Sequence, residues 1–282
     1  MNFRLLFLVG LMNLITFSSI LPLNMTPMSF KKPDIHNMEY LKYAVYLGGE
    51  LFGYYYFIYN FSNDGKTLIE YSESFDVTNR NIPRKAEYFS SKSIIDLENF
   101  TFIKMENNVS NLYFYRKDHN DSLKELKGIF YTETEFDYSN LSAHCTIKTW
   151  DGNNIRTQSS RFKLKKGYSY FDMSNPPALL YRMIDSSKPA GIYYSSSPLI
   201  FKEPMAASGK IQDKEEDIIT PLGNFKVKKV VSAIADPFIG TLMKGFMDKS
   251  FMWIDSDGLL VKYSLPFGYG ILIEKGLWTN KN

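Results

Sequence analysis

Short segments rich in Tyr, Phe, Ile, Val and Thr recur along the chain, separated by turn residues, and within them apolar and polar positions alternate. Successive strand side chains point to opposite faces of a sheet, so this pattern predicts an antiparallel β protein. From Tyr40 to Leu47, the positions Tyr43, Val45 and Leu47 alternate with Lys42, Ala44 and Tyr46, and Gly48-Gly49 then turns the chain into a strand from Leu51 to Phe61. Asn63-Asp64-Gly65 returns it along Thr67 to Phe75, the glycine relieving the positive φ that such turns demand. Trp150-Asp151-Gly152-Asn153 joins a strand from His144 to Thr149 with one from Ile155 to Leu164. Pro221-Leu222-Gly223-Asn224 joins Asp217 to Thr220 with Phe225 to Ser232. Asp255-Ser256-Asp257-Gly258 joins Phe251 to Ile254 with Leu259 to Leu265, and Tyr269 to Lys275 forms a last strand.

Helical periodicity is sparse. Ser174 caps a short predicted helix with Pro177 near its first turn and Leu179, Leu180, Met183 and Ile184 on one face. Asp236-Pro237 opens a second, in which Phe238, Ile239, Leu242, Met243, Phe246 and Met247 recur at helical spacing. The polar stretches from Lys117 to Lys127 and from Lys202 to Glu216 read as loops. The expected fold is mainly β, a large curved antiparallel sheet or half-barrel with one or two short helices.

The N-terminus follows a different pattern. Arg4 precedes an apolar run from Leu5 to Leu23, broken only by Gly10, Asn13 and the small polar residues Thr16, Ser18 and Ser19. This is the layout of a secretory signal peptide, with Thr16 and Ser18 as the small residues before a cut at Ser19. The alternative is an uncleaved anchor, since a spanning helix needs roughly 20 apolar residues. No cysteine follows the run, which excludes bacterial acyl anchoring there. The expected organisation is a signal peptide over 1–19, an extended leader over 20–38 and a single antiparallel β domain over 39–282, in a periplasmic or secreted protein.

Composition adds bounds. The chain holds 22 Phe and 20 Tyr, bulky residues that suit a pleated surface. Net charge is +3, too small to demand nucleic acid, and the lysine groups Lys163, Lys165 and Lys166, and Lys226, Lys228 and Lys229, read as solvated strand edges. A lone cysteine, Cys145, forbids an internal disulfide, so the core alone must hold the domain. Sequons occur at Asn24, Asn60, Asn99, Asn108, Asn120 and Asn140, a number that an Asn-, Ser- and Thr-rich chain produces by chance.

No catalytic constellation emerges. The nucleophile elbow, zinc-protease helix, phosphate loop and dinucleotide-binding turn are missing from the sequence, and His36, His119 and His144 lack ligand-like spacing. His144 and Cys145 are neighbours that a strand would place on opposite faces. Asp255-Ser256-Asp257-Gly258 opens like a calcium loop, but Leu260 and Pro266 occupy its sixth and twelfth positions, leaving a hairpin turn. The expectation is a non-enzyme without metal or cofactor.

Two features suggest a ligand cavity. The strand Gly53-Tyr54-Tyr55-Tyr56-Phe57-Ile58-Tyr59 is apolar on both faces, so both should be covered, by a second layer or by an apolar ligand that Tyr54, Tyr55, Tyr56, Phe57 and Tyr59 would line. The face made by Phe238, Leu242, Met243, Phe246 and Met247, beside Lys244 and Lys249, would serve as a lid or a membrane contact, or else pack on the sheet.

Several motifs carry a family resemblance. They are Tyr46-Leu47-Gly48-Gly49-Glu50-Leu51-Phe52-Gly53, then Met173-Ser174 leading to Leu180-Tyr181-Arg182, then Gly191, the Thr220-Pro221-Leu222-Gly223-Asn224-Phe225 hairpin, and the run from Phe251 to Lys262 through Asp257-Gly258-Leu259. Together they resemble the bacterial exported family known as domain of unknown function 3108, and more loosely the LolA- and LolB-like periplasmic β proteins. The segment from Asp236 to Lys249 is longer than the family pattern, and Arg84 and Lys85 match none of its motifs. The resemblance implies a curved antiparallel sheet, an envelope role and no catalytic residues. Two functions follow as expectations: a noncatalytic envelope protein sheltering an apolar or lipid-like ligand, or a structural or interaction protein with a packed core that engages an envelope partner.

Overall fold

Paired glycines set the first hairpin. Gly48 and Gly49 adopt φ of 60° and 88°, the left-handed region that side chains disfavour, and so close a two-residue turn between β1 (Glu39–Leu47) and β2 (Glu50–Phe61). The chain turns next at Asn63-Asp64, where Asp64 Oδ1 accepts the Ser62 hydroxyl at 2.6 Å and the Lys66 amide at 3.0 Å, and continues as β3 (Thr67–Asp76). Hairpins of this kind account for most of the molecule. The computed structural model describes residues 26–76, 88–110, 113–114, 124–125, 128–150, 153–172, 178–196, 204–235, 249–265 and 268–279. The expected second helix and the signal segment lie outside them.

The remaining elements in chain order are β4 (Tyr88–Asp96), β5 (Thr101–Ser110), β6 (Tyr113–Phe114), β7 (Lys124–Glu125), β8 (Gly128–Asp137), β9 (Ser142–Trp150), β10 (Ile155–Lys163), β11 (Tyr170–Asp172), α1 (Ala178–Met183), β12 (Ala190–Ser196), β13 (Met205–Thr220), β14 (Gly223–Ile234), β15 (Lys249–Ile254), β16 (Leu260–Leu265) and β17 (Gly268–Leu277). Strands β6 and β7 pair with each other. The other 15 form one sheet in the order β10-β9-β8-β5-β4-β3-β2-β1-β17-β16-β15-β14-β13-β12-β11, antiparallel except for β11 with β12. The mainly β fold is thus a single large curved sheet.

The sheet curls until its ends overlap. Phe171 of β11 meets Phe102 of β5 edge to face at 5.2 Å, and Tyr170 of β11 meets Phe136 of β8 at 6.0 Å and Tyr138 at 6.4 Å. Aromatic packing rather than a hydrogen-bonded ladder therefore brings the ends together. Within the curl, Tyr43, Phe57, Tyr59, Leu41, Leu68 and Ile95 are fully buried. The inward face of β3, β4, β5 and β8 is more polar, and two cross-strand pairs bond there: Ser72 with Ser91 at 2.8 Å, and Asn107 donating to Thr132 at 3.1 Å.

Helix α1 sits inside, and all six of its residues are buried, not one face alone as its sequence predicts. Its surroundings explain this: the curl of strands, the leader and the Asp255–Gly258 turn enclose a helix too short to be amphipathic. Arg182 Nη1 donates to Glu39 Oε1 and Nη2 to the Asp34 carbonyl, so this buried cation is paired. The leader packs into the same body. Met28 N donates to Ile192 O at 2.8 Å, Ile192 N to Thr26 O at 3.0 Å and Lys31 N to Met183 O at 2.6 Å. Gly191 permits this approach, because a Cβ there would lie 2.5 Å from Met28 Cα.

Two sequence expectations are corrected. Within the stretch from Lys202 to Glu216, residues from Met205 onward form β13, not a loop, and pair with β14 across a bulge between Ile211 and Glu215. The ladder satisfies the backbone there, so charged side chains can stand in solvent and obscure the alternation. On β2, the face holding Tyr54, Tyr56 and Ile58 is only half-buried, whereas Phe57 and Tyr59 on the other are fully buried. Lys42 Nζ lies 4.9 Å above the Tyr54 ring and 5.3 Å above Tyr56, and Tyr40 stacks on Tyr56, so neighbours in the same sheet supply this partial cover.

Candidate functional site

A pocket of about 390 Å³ opens beside the C-terminal end of α1. The bulge in β13 makes room for it by parting the strand from its register after Ile211. Tyr181 and Ile184 form the inner wall, with Ile211, Val227 and Ile254 contributed by β13, β14 and β15. Lys31, Lys226 and Lys228 stand around it, together with Glu215, the ladder partner of Lys228, and Asp255. The result is an apolar lining beside a rim with more cations than carboxylates.

Each wall is held from behind. Lys31 is fixed by its backbone N–H, which donates to Met183 O, and Phe30 forms a β-bridge to Ile184. Asp255 organises the turn that closes one side, accepting the Leu259 amide at 2.8 Å and the Asp257 amide at 2.9 Å. Burial pushes its carboxyl above the usual aspartate range, opposed by those two bonds. The turn presses on the helix, since a Cβ at Gly258 would lie 2.7 Å from Tyr181 O. Burial likewise raises the Tyr181 phenol well above its ordinary value, keeping it neutral.

The residues singled out in the sequence lie elsewhere. Tyr54 and Tyr56 lie on the outer face, and Tyr55 points inward and stacks on Phe57 at 6.4 Å. Phe57 meets Tyr43 edge to face at 5.7 Å, and Tyr59 is buried in the same core. None of the five lines the pocket. Phe238, Leu242, Met243, Phe246 and Met247 lie outside the described residues. His144 is exposed and Cys145 buried, as strand alternation requires.

Sequence reasoning missed Lys31, Ile184, Ile211 and Ile254 as neighbours, because the contact between the leader, α1 and three strands is set by topology. Lys226 and Lys228, flanking Val227, were legible only as strand-edge cations. Their two-residue spacing puts them on one face of the strand, and only the curl decides that this stretch of β14 passes the end of α1.

No family profile matches the chain, and no curated protein matches it. Among solved structures, it is similar to a β-barrel-like protein of domain of unknown function DUF1849 from Brucella abortus, with 10% identity over 86% of this chain and 99% of that one, and a TM-score of 0.50. At that identity the likeness is one of fold, a β-barrel-like curl of strands.

Proposed function

We propose that this chain is an exported, noncatalytic envelope protein that holds a small amphiphile with an apolar body and an anionic head in the pocket beside α1. The observation that carries the reading is the pocket itself, in which Tyr181, Ile184, Ile211, Val227 and Ile254 offer apolar contact while Lys31, Lys226 and Lys228 stand at the rim. Its volume lies in the range of small-molecule sites, and burial of a hydrocarbon stem there would supply affinity while the lysines orient the charged end. The apolar run behind Arg4 supports export. The β-barrel-like neighbour supports a curled sheet able to shelter a ligand.

The test is titration with a dansyl-labelled fatty acid, together with mass spectrometry of lipids that co-purify with the protein. Saturable binding is expected, with competition by an unlabelled fatty acid and weaker competition by the alcohol of equal length. Lys226→Glu with Lys228→Glu should weaken binding about tenfold or more while leaving the thermal midpoint within about a degree, because both side chains are exposed. No saturable binding and no co-purifying lipid would overturn the reading. The filled aromatic interior around Phe57 favours a second one, a structural or interaction protein of the envelope, which that outcome would select.

A further inference from the structure

Strand β10 ends the sheet. It pairs with β9 through nine consecutive positions without a bulge, and among the described residues it has no strand on its other side. All of its residues except Phe162 are exposed. The opposite end, β11, is only three residues long and packs inward on β5 and β8, so among the described residues β10 is the long open edge.

The direction of its free groups follows from one hydrogen bond. Leu164 N donates to Leu141 O at 2.8 Å, in register with the β9–β10 ladder. In an antiparallel pair, alternate residues exchange both backbone bonds with the partner. Phe162, Ser160, Gln158 and Arg156 share the parity of Leu164 and bond toward β9. Ile155, Thr157, Ser159, Arg161 and Lys163 therefore direct their N–H and C=O groups outward, spanning almost the full strand.

Proteins usually blunt such an edge with a proline, a bulge, a short strand or charged side chains, lysine above all. Here there is no proline and no bulge, only cations: β10 carries Arg156, Arg161 and Lys163 and no carboxylate, and Lys165 and Lys166 follow it. Beside it, β9 carries Lys148 and His144 and likewise no carboxylate. Of the acids on β8, Glu133 and Glu135 are occupied by Lys104 at 3.0 and 3.2 Å, and Asp137 accepts the Ser139 hydroxyl and the Asn140 side-chain amide, each at 2.6 Å. A second copy pairing β10 with β10 across a two-fold axis would crowd the cations of both onto one short ladder, which like-charge repulsion opposes.

We infer that β10 is a docking edge for an extended acidic segment of a partner protein, which adds a strand antiparallel or parallel to Ile155–Lys163. The outward backbone groups supply the ladder, and the cations select the charge of the incoming strand. This goes beyond the pocket and does not depend on it.

The test uses the full chain and two fluorescein-labelled, end-blocked nine-residue peptides, one alternating valine with glutamate and one alternating valine with lysine. Anisotropy is expected to report saturable binding of the acidic peptide only. Ser159→Pro removes an outward N–H, a position where an edge tolerates proline, and should cost the acidic peptide about fivefold or more at an unchanged thermal midpoint. Arg161→Glu with Lys163→Glu, both exposed, should switch the preference to the lysine peptide. Amide exchange at Thr157, Ser159 and Arg161 should be fast in the free protein and slowed by the acidic peptide. Equal or absent binding of the two peptides, or acidic-peptide binding untouched by Ser159→Pro, would overturn the inference. So would a concentration-dependent dimer that Ser159→Pro abolishes, since a second copy would then be the occupant.

Discussion

Replacing Arg182 by Met tests the interior most directly, because it removes one half of a buried ion pair and leaves the other. Glu39 is 2% exposed and Arg182 3%, and the guanidinium also serves the Asp34 carbonyl. Without it, the Glu39 carboxylate stays buried with its main partner gone, and breaking a buried pair from one side costs about 3–5 kcal/mol. Lys275 Nζ, 4.0 Å from Glu39 Oε1, offsets part of this, so the expected loss in urea melts at pH 7 is about 3 kcal/mol. Adding Glu39→Leu should return stability to within about 1 kcal/mol of the parent, because an apolar pair replaces an ionic one. A loss below about 1 kcal/mol, or one that Glu39→Leu leaves unrestored, would refute the argument.

Gly191→Ala should destabilise by about 2 kcal/mol or more and expose the leader to proteolysis near Met28, since the new Cβ would lie 2.5 Å from Met28 Cα; Gly276→Ala, with open space around its Cβ, should change the urea midpoint little. Phe57→Ala should cost about 3–5 kcal/mol, its ring being fully buried, whereas Tyr56→Ala, half-buried on the outer face, should cost about 1, and equal losses in urea melts would contradict the placement of the two faces. Asp137 has a carboxyl held at about 2 by bonds from the Ser139 hydroxyl and the Asn140 side chain and amide. A lowered folded value stabilises above the unfolded one and is lost as pH falls, so NMR shifts of Ser139 and Asn140 should report the turn loosening between about pH 4 and pH 2; a transition centred at the ordinary aspartate value would show that these bonds do not hold it.

The local level was open to sequence reading because strands and turns are written in nearest neighbours. Alternation placed β1, β2, β3 and the hairpins at Gly48-Gly49, Pro221-Leu222 and Asp255–Gly258 within a residue or two, and Leu179, Leu180 and Met183 marked α1. Alternation failed where its premise did. The outer part of β13 is exposed on both faces, so its charges carried no periodic signal, and the tyrosines of β2 are shared between a buried core and an outer face half-covered by Lys42 and Tyr40. What faces what was decided only by the curl of the sheet. That curl brought β11 against β5 and β8, set Arg182 against Glu39 across 143 positions of sequence, and gathered Lys31, Tyr181, Lys226 and Ile254 around one pocket. The sequence by itself determined which faces must be buried and where the chain must turn, since both depend on side-chain chemistry a few residues apart. The tertiary structure decided which buried faces meet and which edge stays open, because sheet order and closure arise from packing between strands whose separation along the chain leaves no periodic trace.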